Sequence, residues 1–175
     1  LPLAAFEDAC RVRNYNPAAL AQAFQASFAT VLRRLASLPM GRGHPPIGLA
    51  ACDAAGVLTL VKPVPGFALP RTGGACPLWP LYAALNRPAQ PIRLEVALPG
   101  SSATRLLCYA IADTRPSPRF DVPTPVQSTM LVMPDPPETA SIAQPVGVSC
   151  RICPRANCAS RREPAMKGVR VETAL

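Results

Sequence analysis

The chain is short of the side chains that catalysis uses. It has one histidine, His44, set between Gly43 and Pro45 in a turn, and ten Asp and Glu residues against eighteen Lys and Arg. A lone turn histidine reads as a solvent-exposed side chain, which leaves general acid–base chemistry with few groups. No Gly-x-Ser-x-Gly elbow, P-loop, dinucleotide-binding glycine run or paired-carboxylate motif is present. Together these absences argue against an enzyme. No apolar run approaches the ~20 residues that cross a bilayer, and no basic-then-apolar secretory leader is visible. No membrane association is therefore expected. Aromatic residues are scarce at 5%, although 49% of the chain is hydrophobic. Much of that apolar content is alanine, so the core should be small in volume and tightly packed. The sequence starts at Leu1 without methionine, which suggests a piece of a longer chain.

Proline, cysteine and positive charge are abundant instead. Twenty-three prolines, clustered near 39–46, 63–70 and 116–137, predict stiff and irregular connections. The net charge of +8 is concentrated at one end, where Arg151, Arg155, Arg161, Arg162, Lys167 and Arg170 face only Glu163 and Glu172. Such an end either attracts phosphate groups or is a solvated tail. Seven cysteines, an odd number, do not suit a secreted disulfide framework and point to a reducing, cytoplasmic setting. Cys52 and Cys108 fall in apolar strand-like runs and read as small buried hydrophobes. Cys10 lies on a helix with no nameable partner.

In "NPAALAQAFQASFATVLRRLASL" the pattern predicts one long helix, with Asn16 as N-cap and Pro17 at the first helical position. Leu20, Phe24, Phe28, Leu32 and Leu35 form its apolar stripe. "LAAFEDACRVR" predicts a shorter helix before it, and the pair reads as a docking or dimerising arm or as a cover for the core. Apolar runs at 47–52 and 57–62 around Asp53-Ala54-Ala55-Gly56 predict a hairpin. A short helix in "PLWPLYAALN" comes next, then a second hairpin from "PIRLEVALPG" and "ATRLLCYAIADT" turning at 99–102, and a fifth strand in "VQSTMLVMP". The alternation in "RLEVAL" predicts a strand with one wet face. This order matches an α+β fold with a five-stranded, mostly antiparallel GAF/PAS-like sheet in the order 2-1-5-4-3, flanking helices and an irregular C-terminal Cys-rich segment. The expected organisation is N-terminal helices at 1–38, a GAF/PAS-like domain at 39–145, a Cys-rich segment at 146–168 and a tail at 169–175.

The strongest motif is "VGVSCRICPRANCASRREP", with Cys150, Cys153 and Cys158 spaced Cys-x2-Cys-x4-Cys. The x2 spacing lets two thiolates and nearby N–H groups converge on one centre. The neighbouring arginines offset the negative charge of a tetrathiolate site. Structural zinc sites ordinarily use two Cys-x2-Cys pairs or one pair with histidines, and neither partner set is in the sequence. A [4Fe–4S] cluster takes close cysteines plus a more distant one, and proline follows a ligating cysteine in ferredoxin runs. Cys153-Pro154 has that form, and so has Cys76-Pro77 in "GGACPLWP", where Gly73 and Gly74 permit close backbone approach. Cys76 is thus the candidate fourth ligand. Spacing alone leaves zinc, reduced thiols or an artefactual disulfide open. Trp79 and Tyr82 either line a ligand pocket or form the core side of their short helix.

Three stretches resemble one family, over about residues 3–168. "ALAQAFQASFATVLRRLASLP" looks like its helix, "DAAGVLTLVKPVPGFALPRTGGACPLWPLYAAL" is similar to its hairpin and Cys-Pro-x-Trp segment, and the cysteine run looks like its C-terminal signature. These are the short-chain fatty acyl-CoA transcriptional regulators. The resemblance implies a C-terminal sensor domain from a protein with an N-terminal helix-turn-helix domain and a metallopeptidase-like middle. It also implies a [4Fe–4S] cluster on Cys76, Cys150, Cys153 and Cys158, acyl-CoA as effector and DNA as partner through the helix-turn-helix domain. The leading expectation is a homodimeric, effector-sensing regulatory domain in which an acyl-CoA or similar metabolite sits beside Trp79 and Tyr82 with Arg71 or Arg87 on its phosphates. The alternatives are a redox or oxygen sensor acting through the cluster alone, and a zinc-stabilised interaction or nucleic-acid module. The sequence departs from the family pattern in "CASRREPAM" and in "PLYAALNRPAQPI", where a pocket would lie.

Overall fold

A computed structural model describes residues 2–70, 73–99, 104–114, 120–121, 125–134 and 142–166. Arg71, the 99–102 turn beyond Pro99, residues 116–119, 122–124 and 135–137 of the proline-rich stretch, Lys167, Arg170 and the 169–175 tail lie outside the described residues.

The N-terminal helices are α1 (Leu3–Val12), α2 (Pro17–Phe24) and α3 (Phe28–Ala36). Asn16 caps α2 as expected, its Oδ1 accepting from the Ala18 and Ala19 N–H groups at 3.0 and 3.3 Å. The single long helix is not formed. Gln25 turns left-handed at φ 48° and ends α2, and Ser27 starts α3 by accepting from the Thr30 N–H at 3.2 Å. The apolar stripe survives the break because both pieces bury the same side. Leu20, Leu32 and Leu35 are fully buried, while Phe24 and Phe28 are half-buried beside them. These helices cover the core.

The strands are β1 (Gly48–Asp53), β2 (Leu58–Lys62), β3 (Ile92–Ala97), β4 (Arg105–Thr114), β5 (Val126–Pro134) and β6 (Gln144–Pro145), with α4 (Pro80–Leu85) between β2 and β3. The sheet order is β2-β1-β5-β4-β3-β6. The first five strands are antiparallel in the order 2-1-5-4-3, but the sheet has six strands and is mixed, because β6 pairs parallel to β3. A two-residue strand has no periodicity of its own, so its place depends on the anchoring of the cysteine segment after it. The β1–β2 turn is closed as its residues suggest: Asp53 Oδ1 accepts from the Ala55 and Val57 N–H groups, both at 2.9 Å, and Gly56 takes φ 79°.

Alternation along the central strands divides the core between two faces. Leu49, Ile111 and Leu131 point to α1–α3, whereas Ala50, Cys52, Cys108, Ala110, Ala112, Met130 and Val132 point to α4. The second face is built largely of small residues, so α4 lies close to the sheet, and Ser128 Oγ donates to Leu81 O at 2.6 Å. Two expectations fail here. The wet face of β3 is not wet at Glu95, which is 4% exposed and paired with Arg105 Nη2 at 2.6 Å. A buried carboxylate requires such a partner. His44 is not solvent-exposed either. Its side chain is 2% exposed, with Nδ1 3.0 Å from the Tyr15 hydroxyl and Nε2 3.3 Å from Glu7 Oε1, so it bridges α1 to the segment entering β1.

Candidate metal centre

The cysteine segment crosses the sheet edge beyond β6. Its regular structure is one 3₁₀ turn, Cys150–Ile152, started by Ser149, whose Oγ accepts from the Arg151 N–H. The segment is joined to the start of α4 by three hydrogen bonds between residues far apart in the chain. The Cys76 N–H donates to Val148 O at 3.0 Å, Trp79 Nε1 to Gly147 O at 2.8 Å, and Gln144 Nε2 to Leu78 O at 2.6 Å. These bonds bring Cys76 to the other three thiols. Cys76, Cys150, Cys153 and Cys158, all free, line one narrow space of about 10 Å³, room for about one water. Gly147 is the pivot. A Cβ there would stand 3.2 Å from Cys153 Sγ, a tight contact, and 3.9 Å from Cys76 Cβ, an ordinary one, so a side chain at this position would press on Cys153.

Two arginines that the sequence marks only as positive charge shape this segment. Arg161 sends its guanidinium inward, donating to Cys150 O at 2.8 Å, Cys153 O at 3.2 Å, Glu163 O at 3.3 Å and Arg155 O. Arg155 donates to Val146 O at 2.9 Å and Ala97 O at 3.4 Å, fixing the segment to the β3–β6 edge. An arginine supplies five donors in a rigid fork, which suits the carbonyls of a loop that has no ladder of its own. The basic end is therefore not simply a solvated tail, as these guanidinium groups hold main chain. Cys150 Sγ also accepts from the Arg162 N–H at 3.5 Å.

The donor set fits a tetrathiolate centre. Among the described residues no three Cys, His, Asp or Glu side chains stand close enough to share one metal ion.

Beside this space lies an open cleft of about 810 Å³ between the β1–β2 turn, Pro70, Gly73–Ala75, α4 and Arg162. Of the expected ligand residues, Tyr82 lines it, half-buried, and burial raises its phenol pKa against the opposing Arg162 charge. Trp79 does not line it. The indole is fully buried under Phe67, ring centroids 5.4 Å apart, and its N–H is taken by Gly147. Arg87 lies exposed just past α4 and is not part of the cleft wall. Arg162 supplies the cation in that wall, a role with no local signal in "ASRREP".

Cys52 and Cys108 are the small buried hydrophobes expected, and Cys10, for which the sequence names no partner, is a third. Cys10, Cys52 and Cys108 are fully buried, and burial pushes the Cys10 and Cys52 thiols up to about 11 and that of Cys108 further.

Known proteins bear on this arrangement in three ways. Residues 39–173 match the model of the family described as short-chain fatty acyl coenzyme A regulator, C-terminal. The propionyl-CoA carboxylase regulator of Cereibacter sphaeroides is 31% identical over 98% of this chain, and the HTH-type transcriptional regulator PrpR of Mycobacterium tuberculosis is 32% identical over 96%. The chain spans 40% and 37% of the lengths of these two relatives, which are transcriptional regulators and not enzymes. A solved Mycobacterium tuberculosis transcriptional regulator superposes with TM-score 0.81 at 25% identity, covering 97% of this chain and 55% of its own. With its cysteine signature, its α+β frame and most of its length matched, this chain belongs to the short-chain fatty acyl coenzyme A regulator family, as its C-terminal domain.

Proposed function

We propose that this domain is the effector-sensing part of a DNA-binding regulator, holding a [4Fe–4S] cluster on Cys76, Cys150, Cys153 and Cys158 and an acyl-CoA or similar metabolite in the adjoining cleft. The convergence of four free thiols from two distant segments on one space carries this reading. A zinc ion, with Zn–S about 2.3 Å, would need the sulfurs drawn to one point. Three close cysteines with one distant Cys-Pro cysteine is instead the ligand pattern of a [4Fe–4S] cluster. Such a group would supply one-electron redox chemistry and reactivity toward oxygen or nitric oxide. The chain's own part is positional. Arg161 and Arg155 fix the carbonyls of the cysteine segment, Gly147 leaves room at Cys153, and the Cys76–Val148 and Trp79–Gly147 bonds join the segment to α4.

The cleft suits a partly apolar anion. Its walls are mostly Ala, Gly, Pro and Leu, and they present one guanidinium, the Tyr82 phenol and the Asn86 amide. The sheet order 2-1-5-4-3 under it supports a sensor of the GAF/PAS type. DNA would be contacted by a helix-turn-helix domain outside this chain, acting in a homodimer. A second reading, a redox or oxygen sensor without a metabolite, draws on the partial exposure of Cys150, Cys153 and Cys158, which small oxidants can reach.

Anaerobic purification followed by a visible spectrum and iron, sulfide and zinc analysis tests the proposal. A coloured protein with about four irons and four sulfides per chain is the expected result. A colourless protein with one zinc would replace the cluster by a structural ion. Titration with propionyl-CoA then separates the metabolite sensor from the cluster-only sensor.

A further inference from the structure

The cleft and the thiol space share a wall one residue thick. Ala75 and Pro77 both line the cleft, while Cys76 between them lines the thiol space and Pro77 borders both. Arg162 closes the same wall from the other side. Arg162 lines the cleft and its charge is felt at the Tyr82 phenol, whereas its backbone N–H lies on Cys150 Sγ at 3.5 Å. Two of the four thiols are thus one residue or one hydrogen bond from atoms a cleft ligand would touch. The opposite wall is the β1–β2 turn, where the Tyr82 ring packs at 3.4 Å from the Cβ position of Gly56.

We propose that Arg162 couples the two sites. An anionic ligand that engages its guanidinium repositions the amide on Cys150 Sγ, and the state of the thiol site sets in return how the cleft binds. This rests on the reading of a cluster and a metabolite given above and adds the route between them. Thermodynamic linkage makes such coupling reciprocal, with factors of about 5–150. It needs no second copy of the chain. Because the side chain and the amide of Arg162 serve different sites, a side-chain substitution separates them.

The test uses anaerobic, cluster-loaded protein and propionyl-CoA as the probe, with Arg162→Met and Arg162→Lys beside the unaltered chain. Dissociation constants are measured by calorimetry on loaded protein and on protein stripped of iron. The midpoint potential, measured with and without saturating probe, gives a second readout that needs no stripped protein. The expected result is at least about a fivefold difference in affinity between loaded and stripped protein, and a shifted potential, where tenfold corresponds to about 59 mV for one electron. Arg162→Met should bind the probe more weakly and lose the shift even at saturation, and Arg162→Lys should restore part of both. Equal affinities together with an unmoved potential would overturn the coupling while leaving cluster and metabolite in place. A ligand-induced shift that survives in Arg162→Met would overturn the role of this residue. Protein that binds no iron, or loaded protein that binds no probe, removes the reading beneath the proposal as well.

Discussion

Two regions of the molecule use cysteine in opposite ways. In the sheet and the helical layer, Cys10, Cys52 and Cys108 are fully buried, and their thiol protons are held by desolvation. They act as small apolar spacers. In the cysteine segment, Cys150, Cys153 and Cys158 are half-buried, lie among arginine-held carbonyls and share one space with Cys76. The first region is stabilised by apolar contact and regular backbone pairing. The second has almost no regular backbone pairing and is held by side-chain donors on main-chain carbonyls. A thiol is inert or available according to what surrounds it, and its residue type does not decide which.

The sharpest way to break this contrast is to exchange thiol for hydroxyl in each region. Serine at Cys76, Cys150, Cys153 or Cys158 is expected to remove most bound iron, measured as iron and sulfide per chain. Serine at Cys108 should leave the iron in place and lower stability by about 1–3 kcal/mol, because a buried hydroxyl lacks a partner there. Denaturant melts of both sets give the contrast directly.

A smaller effect belongs to the helical face alone. His44→Ala removes the bridge between Tyr15 and Glu7 and should lower the unfolding free energy by about 1–3 kcal/mol without altering iron content. If iron falls with it, the two regions are not independent.

Gly147→Ala works from the other side. A methyl group 3.2 Å from Cys153 Sγ should destabilise the segment by about 1 kcal/mol or somewhat more and lower iron loading, while the far-ultraviolet dichroism of the sheet stays unchanged.

The mildest effect is on alkaline stability. The thiols of Cys10 and Cys52 titrate near 9 when unfolded and at about 11 when folded. Below pH 9 both states keep the proton. As pH rises through this window the unfolded chain loses it first, so stability falls between about 9 and 11. Urea melts across that range should show the decline, and Cys52→Ala should reduce it.

Much of the fold could be read from the chain because it rests on short-range signals. The Asn16 cap, the Asp53–Gly56 turn, the position of α4 and the course of β1 to β5 all follow local patterns. The break at Gln25 was hidden because the apolar stripe keeps the same spacing on both sides of it, although Ser27 with Thr30 is itself a capping signal. Glu95 and His44 were misread for a common reason. A polar residue in an exposed-looking pattern can be buried when a partner arrives from elsewhere, here Arg105, and Glu7 with Tyr15.

Within the site, residue order alone marks the three clustered cysteines, the Cys-Pro element at Cys76 and the family to which such motifs point. Folding in three dimensions was needed to show that Cys76 borders the same space as Cys150, Cys153 and Cys158 and that Arg155 and Arg161 hold carbonyls. It was needed equally to place Arg162 rather than Arg87 in the cleft wall, and to make Trp79 a buried strut. The physical reason is range. Spacing and periodicity report on neighbours within a turn or a strand, whereas the bond from Trp79 to Gly147 joins residues 68 positions apart and leaves no local periodicity.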